Sequence, residues 1–330
     1  MKNKIIQNTI TFIIIIVTIN ILNAIFDSAN SLVAVTIIVA AMIAMGRGVD
    51  PTPIRSFIIL AIINVTLGLL SKLASVNIWW GIFINFISLA SVGYFLSFNL
   101  TKMLVVPFGL QYLFMLYAPV SGIVYGKRIL ELIFGAAIVV LVQWLANRKK
   151  GMVQKSQVFT FKKETDQYQT IKLFNKVFTI NTVRASYAIR IGILTAVTAF
   201  IAGYFKFAEG RWMSYTVFSL TELYSEHCKV RSKQRMEGTI IGGVIVLVLF
   251  TIFRSSIWRA LILLLAGYLN PFANNYRDSM ILVTISAVAA IGLTSGGALM
   301  PTFERLFFVG VGCILSLLAN RFILHTPLEQ

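Results

Sequence analysis

Leu145-Ala146-Asn147-Arg148 closes one run of apolar segments, and Leu318-Ala319-Asn320-Arg321 closes a second. Glu131 and Glu304 stand the same distance before those two terminal arginines. The stretch from Arg55 to Trp79 is mirrored, at nearly equal spacing, by that from Arg235 to Trp258. Six hydrophobic segments precede a basic middle stretch and six follow it, so the chain reads as a duplicated membrane bundle with a transport path at the pseudo-symmetry axis. The expected fold is all-α: a polytopic membrane protein of about 12 transmembrane helices in two parallel six-helix repeats. Residues 1–147 and 184–330 are the expected repeats, and 148–183 a basic cytoplasmic linker.

Composition agrees. The chain is 58% hydrophobic and 12% charged, with a mean hydropathy of +0.83, which leaves too little polar surface to cover a soluble globule. The apolar runs fall at 9–26, 30–45, 56–74, 78–98, 103–123, 129–146, 185–205, 212–226, 238–254, 257–270, 279–296 and 304–320. Most are long enough to cross a hydrocarbon core, whereas 30–45, 212–226 and 257–270 are short. Lys2 and Lys4 before the first run imitate a signal peptide, but no small-residue cleavage pattern follows, so it is read as a membrane helix.

Lys and Arg concentrate in the loops that lie inside if both termini are cytoplasmic, with Lys149, Lys150, Lys155, Lys162, Lys163, Lys172 and Lys176 in the linker. The net charge of +17 is therefore a topology signal. No nucleic-acid-binding motif accompanies it, and anionic lipid headgroups are the expected partner. Within the linker, Thr170 to Phe178 reads as a short interfacial helix or a solvated connector. Cys228 and Cys313 fall in opposite contexts, a basic loop and an apolar helix, and imply neither a disulfide nor a metal site.

Ionisable groups inside apolar spans are costly and need a reason. Arg184, Tyr187 and Arg190 recur every three residues and share a helix face, with Arg184 expected to reach the headgroups and Arg190 to lie deep. The run 212–226 carries Trp212, Ser214, Thr216, Ser219, Thr221, Glu222 and Tyr224, and leads into an inner loop from Glu226 to Arg231. Glu222 is expected either to pair with Arg190 or to accept the proton of a coupled exporter. Arg235 precedes Gly238, Gly242 and Gly243, a spacing that lets helices approach closely and lacks the ending of a phosphate loop. His227 beside Cys228, with His325 far away, makes no enzyme-like cluster. The reading is a non-enzyme without cofactor or metal.

Arg184, Ala188-Ile189-Arg190, Trp212 and Arg235 followed by Gly238, Thr239 and Gly242 resemble the fusaric acid resistance and aromatic acid exporter family. The pattern covers Arg184 to Phe272. The resemblance implies export of aromatic carboxylates or other organic anions across an inner membrane without ATP. It also implies a distant likeness to the plant malate channel group, in which a dimer of six-helix units forms an anion pathway. Two departures stand out: this linker is shorter than the cytosolic domain of the family's large exporters, and the first half lacks the paired intramembrane Arg.

Together these features point to a secondary transporter of small organic anions. Its expected substrate contacts are Arg190, Tyr187, Trp212, Glu222, Tyr224 and Arg235. The alternatives are a passive organic-anion channel and a noncatalytic cell-envelope assembly factor. The oligomeric state stays open, a homo-oligomer included.

Overall fold

The computed structural model describes residues 2–45, 52–148, 168–173, 176–295, 297–324 and 326. Linker residues 149–167 and the Asp50-Pro51 turn lie outside them. Among the described residues, helices α1 (Lys2–Phe26), α2 (Ser31–Met45), α3 (Pro53–Val76), α4 (Ile78–Phe95), α5 (Val105–Tyr117) and α6 (Gly122–Arg148) come first. The hairpin β1 (Tyr168–Leu173) and β2 (Lys176–Asn181) follows, then α7 (Thr182–Tyr204), α8 (Arg211–Leu220), α9 (Glu226–Ile252), α10 (Ser256–Leu269), α11 (Tyr276–Ser295) and α12 (Leu299–Phe322). Nine of these described helices are long and apolar enough to cross a membrane, and α5 and α10 are shorter apolar helices. Apart from the hairpin, the described residues are all-helical, those of a multi-pass membrane protein.

The hairpin corrects the reading of Thr170 to Phe178. Tyr168 pairs with Asn181 and Leu173 with Lys176 in antiparallel register, so the interfacial helix does not form there. Ile171, Val177, Thr179 and Ile180 are β-branched, which favours extended backbone over helix.

The chain divides into two compact units. One comprises residues 15–200, that is most of α1, then α2 to α6, the hairpin and nearly all of α7. In it α6 packs on α2 and α3, and α5 on α2 and α3. α7 lies close to α4: a Cβ at Gly192 would meet the Phe86 carbonyl at 3.0 Å, and one at Gly93 would meet Ile191 at 2.9 Å. Leu22, Phe26 and Ala34 form a small core with Ile138.

The other unit comprises residues 1–14 and 201–330, hence the first turns of α1 with α8 to α12. α9 packs on α11 through its glycines: a Cβ at Gly238 would lie 2.7 Å from the Arg277 carbonyl and one at Gly242 2.6 Å from the Ile281 carbonyl. α12 packs on α8 and α9, with Gly312 against Thr216. α10 closes on α11 around Val246, Phe250, Ala266, Ile285, Val288 and Ala289. The start of α1 packs on α10, where Phe12 meets the Tyr268 ring edge-on at 5.4 Å and the Thr9 and Tyr268 hydroxyls hydrogen-bond at 3.0 Å.

Two boundaries move. The polar run 212–226 is not one span, because α8 stops at Leu220 after about 15 Å of helix, half a membrane crossing. Its last backbone is held by Thr221, whose hydroxyl donates back to the Val217 carbonyl at 2.7 Å. Thr326 braces the following connection: its hydroxyl donates to the Leu223 carbonyl at 2.6 Å, and the Ser225 amide donates to its carbonyl at 3.0 Å. Non-helical backbone at this depth is tolerated when protein supplies such partners. α9 also starts at Glu226, so the expected inner loop from Glu226 to Arg231 is its first turns. Cys228 thereby enters the same buried cluster as Cys313, with Leu220 and Val309, and their contexts are shared rather than opposite.

Candidate functional site

α8 is the centre of the candidate site. Every residue from Met213 to Phe218 is buried, and Leu220 with them, although Ser214, Thr216 and Ser219 make the helix partly polar. Its two ends carry two clusters of charge.

At the first end, Glu209 accepts from Arg211 Nη2 at 2.7 Å and from Trp212 Nε1 at 2.6 Å. A carboxylate just before a helix also faces the positive end of its dipole. Trp212, fixed by that bond, lies under Arg305 of α12, whose guanidinium carbon is 3.9 Å from the ring centroid. Arg305 is 1% exposed, and a buried cation in a membrane helix costs several kcal/mol unless compensated. Its Nε donates to Thr284 Oγ1 at 3.4 Å, a long bond, and its Nη1 has no hydrogen-bond partner.

At the other end, Arg235 of α9 is buried and reaches across to α8 and α11. Its Nη1 donates to Ser219 Oγ at 3.3 Å, Tyr276 Oη at 3.0 Å and Met280 Sδ at 3.4 Å, while its Nε has no partner. Arg231, one turn earlier on α9, lies over the Tyr276 ring at 4.4 Å and pairs with Glu222 Oε1 at 3.0 Å. The charges acting on Arg305 are Arg235, Glu209 and Arg211, so the two buried arginines repel one another across the site. α9, α11 and α12 also line an open groove of about 1030 Å³, to which Lys229, Lys233, Glu237 and Arg277 contribute.

The expected site residues are thus divided. Trp212, Glu222, Tyr224 and Arg235 belong to the unit of α8 to α12. Glu222 is in the connection after α8 and is paired with Arg231, and Tyr224 is half-buried beside it. Arg190 and Tyr187 are fully buried on α7, in the other unit, with Lys102 near the Tyr187 ring at 5.9 Å. Arg184 does not reach for headgroups. It is buried at the end of α4, where its guanidinium donates to the Tyr94 carbonyl and to Ser97 Oγ and lies over the Tyr94 ring at 4.9 Å. There it satisfies a helix C-terminus that a distant headgroup could not reach.

Arg305 escaped the reading of the sequence, which used Glu304 beside it only as a landmark of the repeat. The signal lies in spacing: Thr302, Arg305, Val309, Gly312, Cys313, Ser316 and Asn320 recur every three or four residues and are the buried face of α12, from which Glu304 is offset.

Residues 195–319 match a family model described as fusaric acid resistance protein-like. The match overlaps the segment 184–272 that carries the resemblance, leaves out Arg184 and Arg190, and takes in α12 with Arg305. No curated protein and no solved structure matches the chain significantly.

Proposed function

We propose that the protein is a secondary transporter that exports organic anions, aromatic carboxylates foremost, across the cytoplasmic membrane, and that the anion binds along α8 between Arg305 and Arg235. The observation that carries this reading is Arg305: buried, stacked on Trp212, and left with an unused donor. A guanidinium fork binds a carboxylate at two points, so an arriving anion would offset the cost of the buried charge. The indole beside it offers a face to an aromatic ring. Ser214, Thr216 and Ser219 supply the hydroxyls of α8 between the two cations, and Lys229, Lys233 and Arg277 of the neighbouring groove attract anions.

The same reading takes the chain as two six-helix repeats. α2 and α6 pack as do α8 and α12, α3 and α6 as do α9 and α12, and α3 and α5 as do α9 and α11. The first helix of each repeat packs on the fourth of the other: α1 on α10 and α7 on α4. Such an exchange suits a parallel pair of repeats about an axis normal to the membrane, with both ends cytoplasmic.

The test uses purified protein in liposomes with labelled benzoate. Wild type is expected to move it without ATP, and Arg305→Gln to lose at least about 100-fold of the rate at unchanged insertion. A wild type that moves no organic anion, or an Arg305→Gln protein at the wild-type rate, overturns the reading.

A further inference from the structure

The unit of α2 to α7 holds a carboxyl that the anion site does not use. Glu131 of α6 is fully buried, and neither of its carboxyl oxygens has a hydrogen-bond partner. Arg128, one turn earlier on α6, is engaged elsewhere: Nε donates to Asn30 Oδ1 at 2.7 Å, Nη1 to the Ala118 carbonyl at 2.8 Å and Nη2 to the Ala29 carbonyl at 3.2 Å.

Two amides share this predicament. Asn64 of α3 donates to the carbonyl of Leu132, the residue after Glu131, at 3.0 Å, and leaves its own Oδ1 without a partner. Gln111 of α5 is buried with an unpartnered Nε2. α3, α5 and α6 converge at Gly68, where a Cβ would lie 2.7 Å from Leu132 Cδ1 and 3.9 Å from Met115 Sδ. Asn64 and Gln111 stand one turn before Gly68 and Met115, so both amides enter this junction from neighbouring helices. Buried polar atoms without partners call for internal water.

Among the described residues Arg128 is the cation that acts on Glu131, and its guanidinium is spent on other acceptors, so the carboxyl has a nearby charge but no hydrogen bond. α2 contributes no ionisable group. On α3, Lys72 donates to the Val120 carbonyl at 2.8 Å and lies over the Tyr125 ring, and Arg55 is exposed at the helix start. On α5, Tyr112 donates to Asn85 Oδ1 at 2.6 Å and Tyr117 closes the helix. α6 itself adds Lys127 and Arg128, and Asp27 after α1 accepts from the Ala29 amide. An ionised carboxylate left in such a place costs several kcal/mol.

We propose that Glu131 is a proton-binding site, carried as the neutral acid, that exchanges its proton with water held by Asn64 and Gln111 and so couples anion transport to the proton gradient. In the exchange the carboxyl O–H bond breaks, the electron pair stays on the carboxylate and the proton passes to the water; uptake is the reverse. This displaces Glu222, whose charge is already met by Arg231 at 3.0 Å, as the coupling group. The coupling rests on the transporter reading, whereas the proton site itself does not.

Infrared spectra of the full-length protein in liposomes, wild type minus Glu131→Gln, test the site without any substrate. A protonated-carboxyl band at neutral pH that the variant lacks is expected; no such band in the wild type overturns the proposal. In transport, Glu131→Gln should exchange labelled benzoate at equal pH within about threefold of wild type and lose at least about tenfold of its pH-gradient-driven accumulation. Undiminished accumulation overturns the coupling, as does loss of exchange together with thermal stability, which would make Glu131 structural. If Glu131→Gln fails to insert, Glu131→Asp replaces it: a shifted carboxyl band with retained accumulation sustains the proposal, and neither overturns it. The band in a wild type that moves no anion keeps the proton site and overturns the transporter reading instead.

Discussion

Arg55 and Arg235 hold corresponding places in the two runs of apolar segments, yet Arg55 is exposed and Arg235 is buried. The difference comes from where the helices start. α3 begins at Pro53, which puts Arg55 in its first turn, whereas α9 begins at Glu226 and carries Arg235 in its third. The same contrast recurs at the ends of the repeats, where buried Arg305 follows Glu304 and buried Leu132 follows Glu131. Apolar residues fix which helices pack; on the reading proposed above, the placement of a few charges along them decides which unit attracts an anion and which shelters an acid. Both units bury ionisable groups.

The largest expected effect separates the two arginines. Arg305→Lys keeps the charge but loses the planar stack on Trp212 and the fork, and should cost at least about tenfold in benzoate transport. Arg55→Gln should stay within about twofold, because an exposed first-turn cation makes little difference to a buried path. Equal losses in liposome assays would break the comparison.

Arg190 sharpens it from the other unit. Arg190→Gln is expected to lose organic-anion transport while the protein remains inserted and folded. A fall in thermal stability with transport retained per folded molecule would instead assign Arg190 to packing within the unit of α2 to α7.

Helix contacts give smaller effects. Gly242→Val should destabilise by about 1–3 kcal/mol, because the added methyls would be driven into the Ile281 carbonyl and Thr284. Gly126→Ala, where a Cβ meets open space, should be neutral or stabilise by up to about 1 kcal/mol through helix propensity. Thermal unfolding in detergent checks both, and equal shifts would show that the α9–α11 contact is not as close as its glycines indicate. The smallest effect is that of Ser219→Ala, about 0.5–1.5 kcal/mol, since Arg235 keeps Tyr276 as an acceptor.

Much of the fold was legible because apolar length and spacing act locally. The run 129–146 became α6, 185–205 became α7, and Gly238 and Gly242 proved to be the contact with α11. The hairpin before α7 was missed since its apolar residues are few and its alternation short. The break after Leu220 was missed since Thr221 to Ser225 are polar but not helix breakers, and Thr326, far along the chain, supplies the bonds that hold them. Glu222 was legible as an unusual charge, but its partner Arg231 required knowing that α9 begins at Glu226.

The sequence by itself determined that this chain is a multi-pass membrane protein rich in apolar helices, and that arginines and glycines mark its second half. These follow from hydrophobic length and from residue spacing, which no distant contact can alter. Only the tertiary structure decided which charges meet: Arg305 on Trp212, Arg235 on Tyr276, Glu222 on Arg231, and Glu131 near Arg128 but hydrogen-bonded to none of the described residues. The energy of a buried charge depends on the few atoms within reach, and those are brought together by helices remote in sequence.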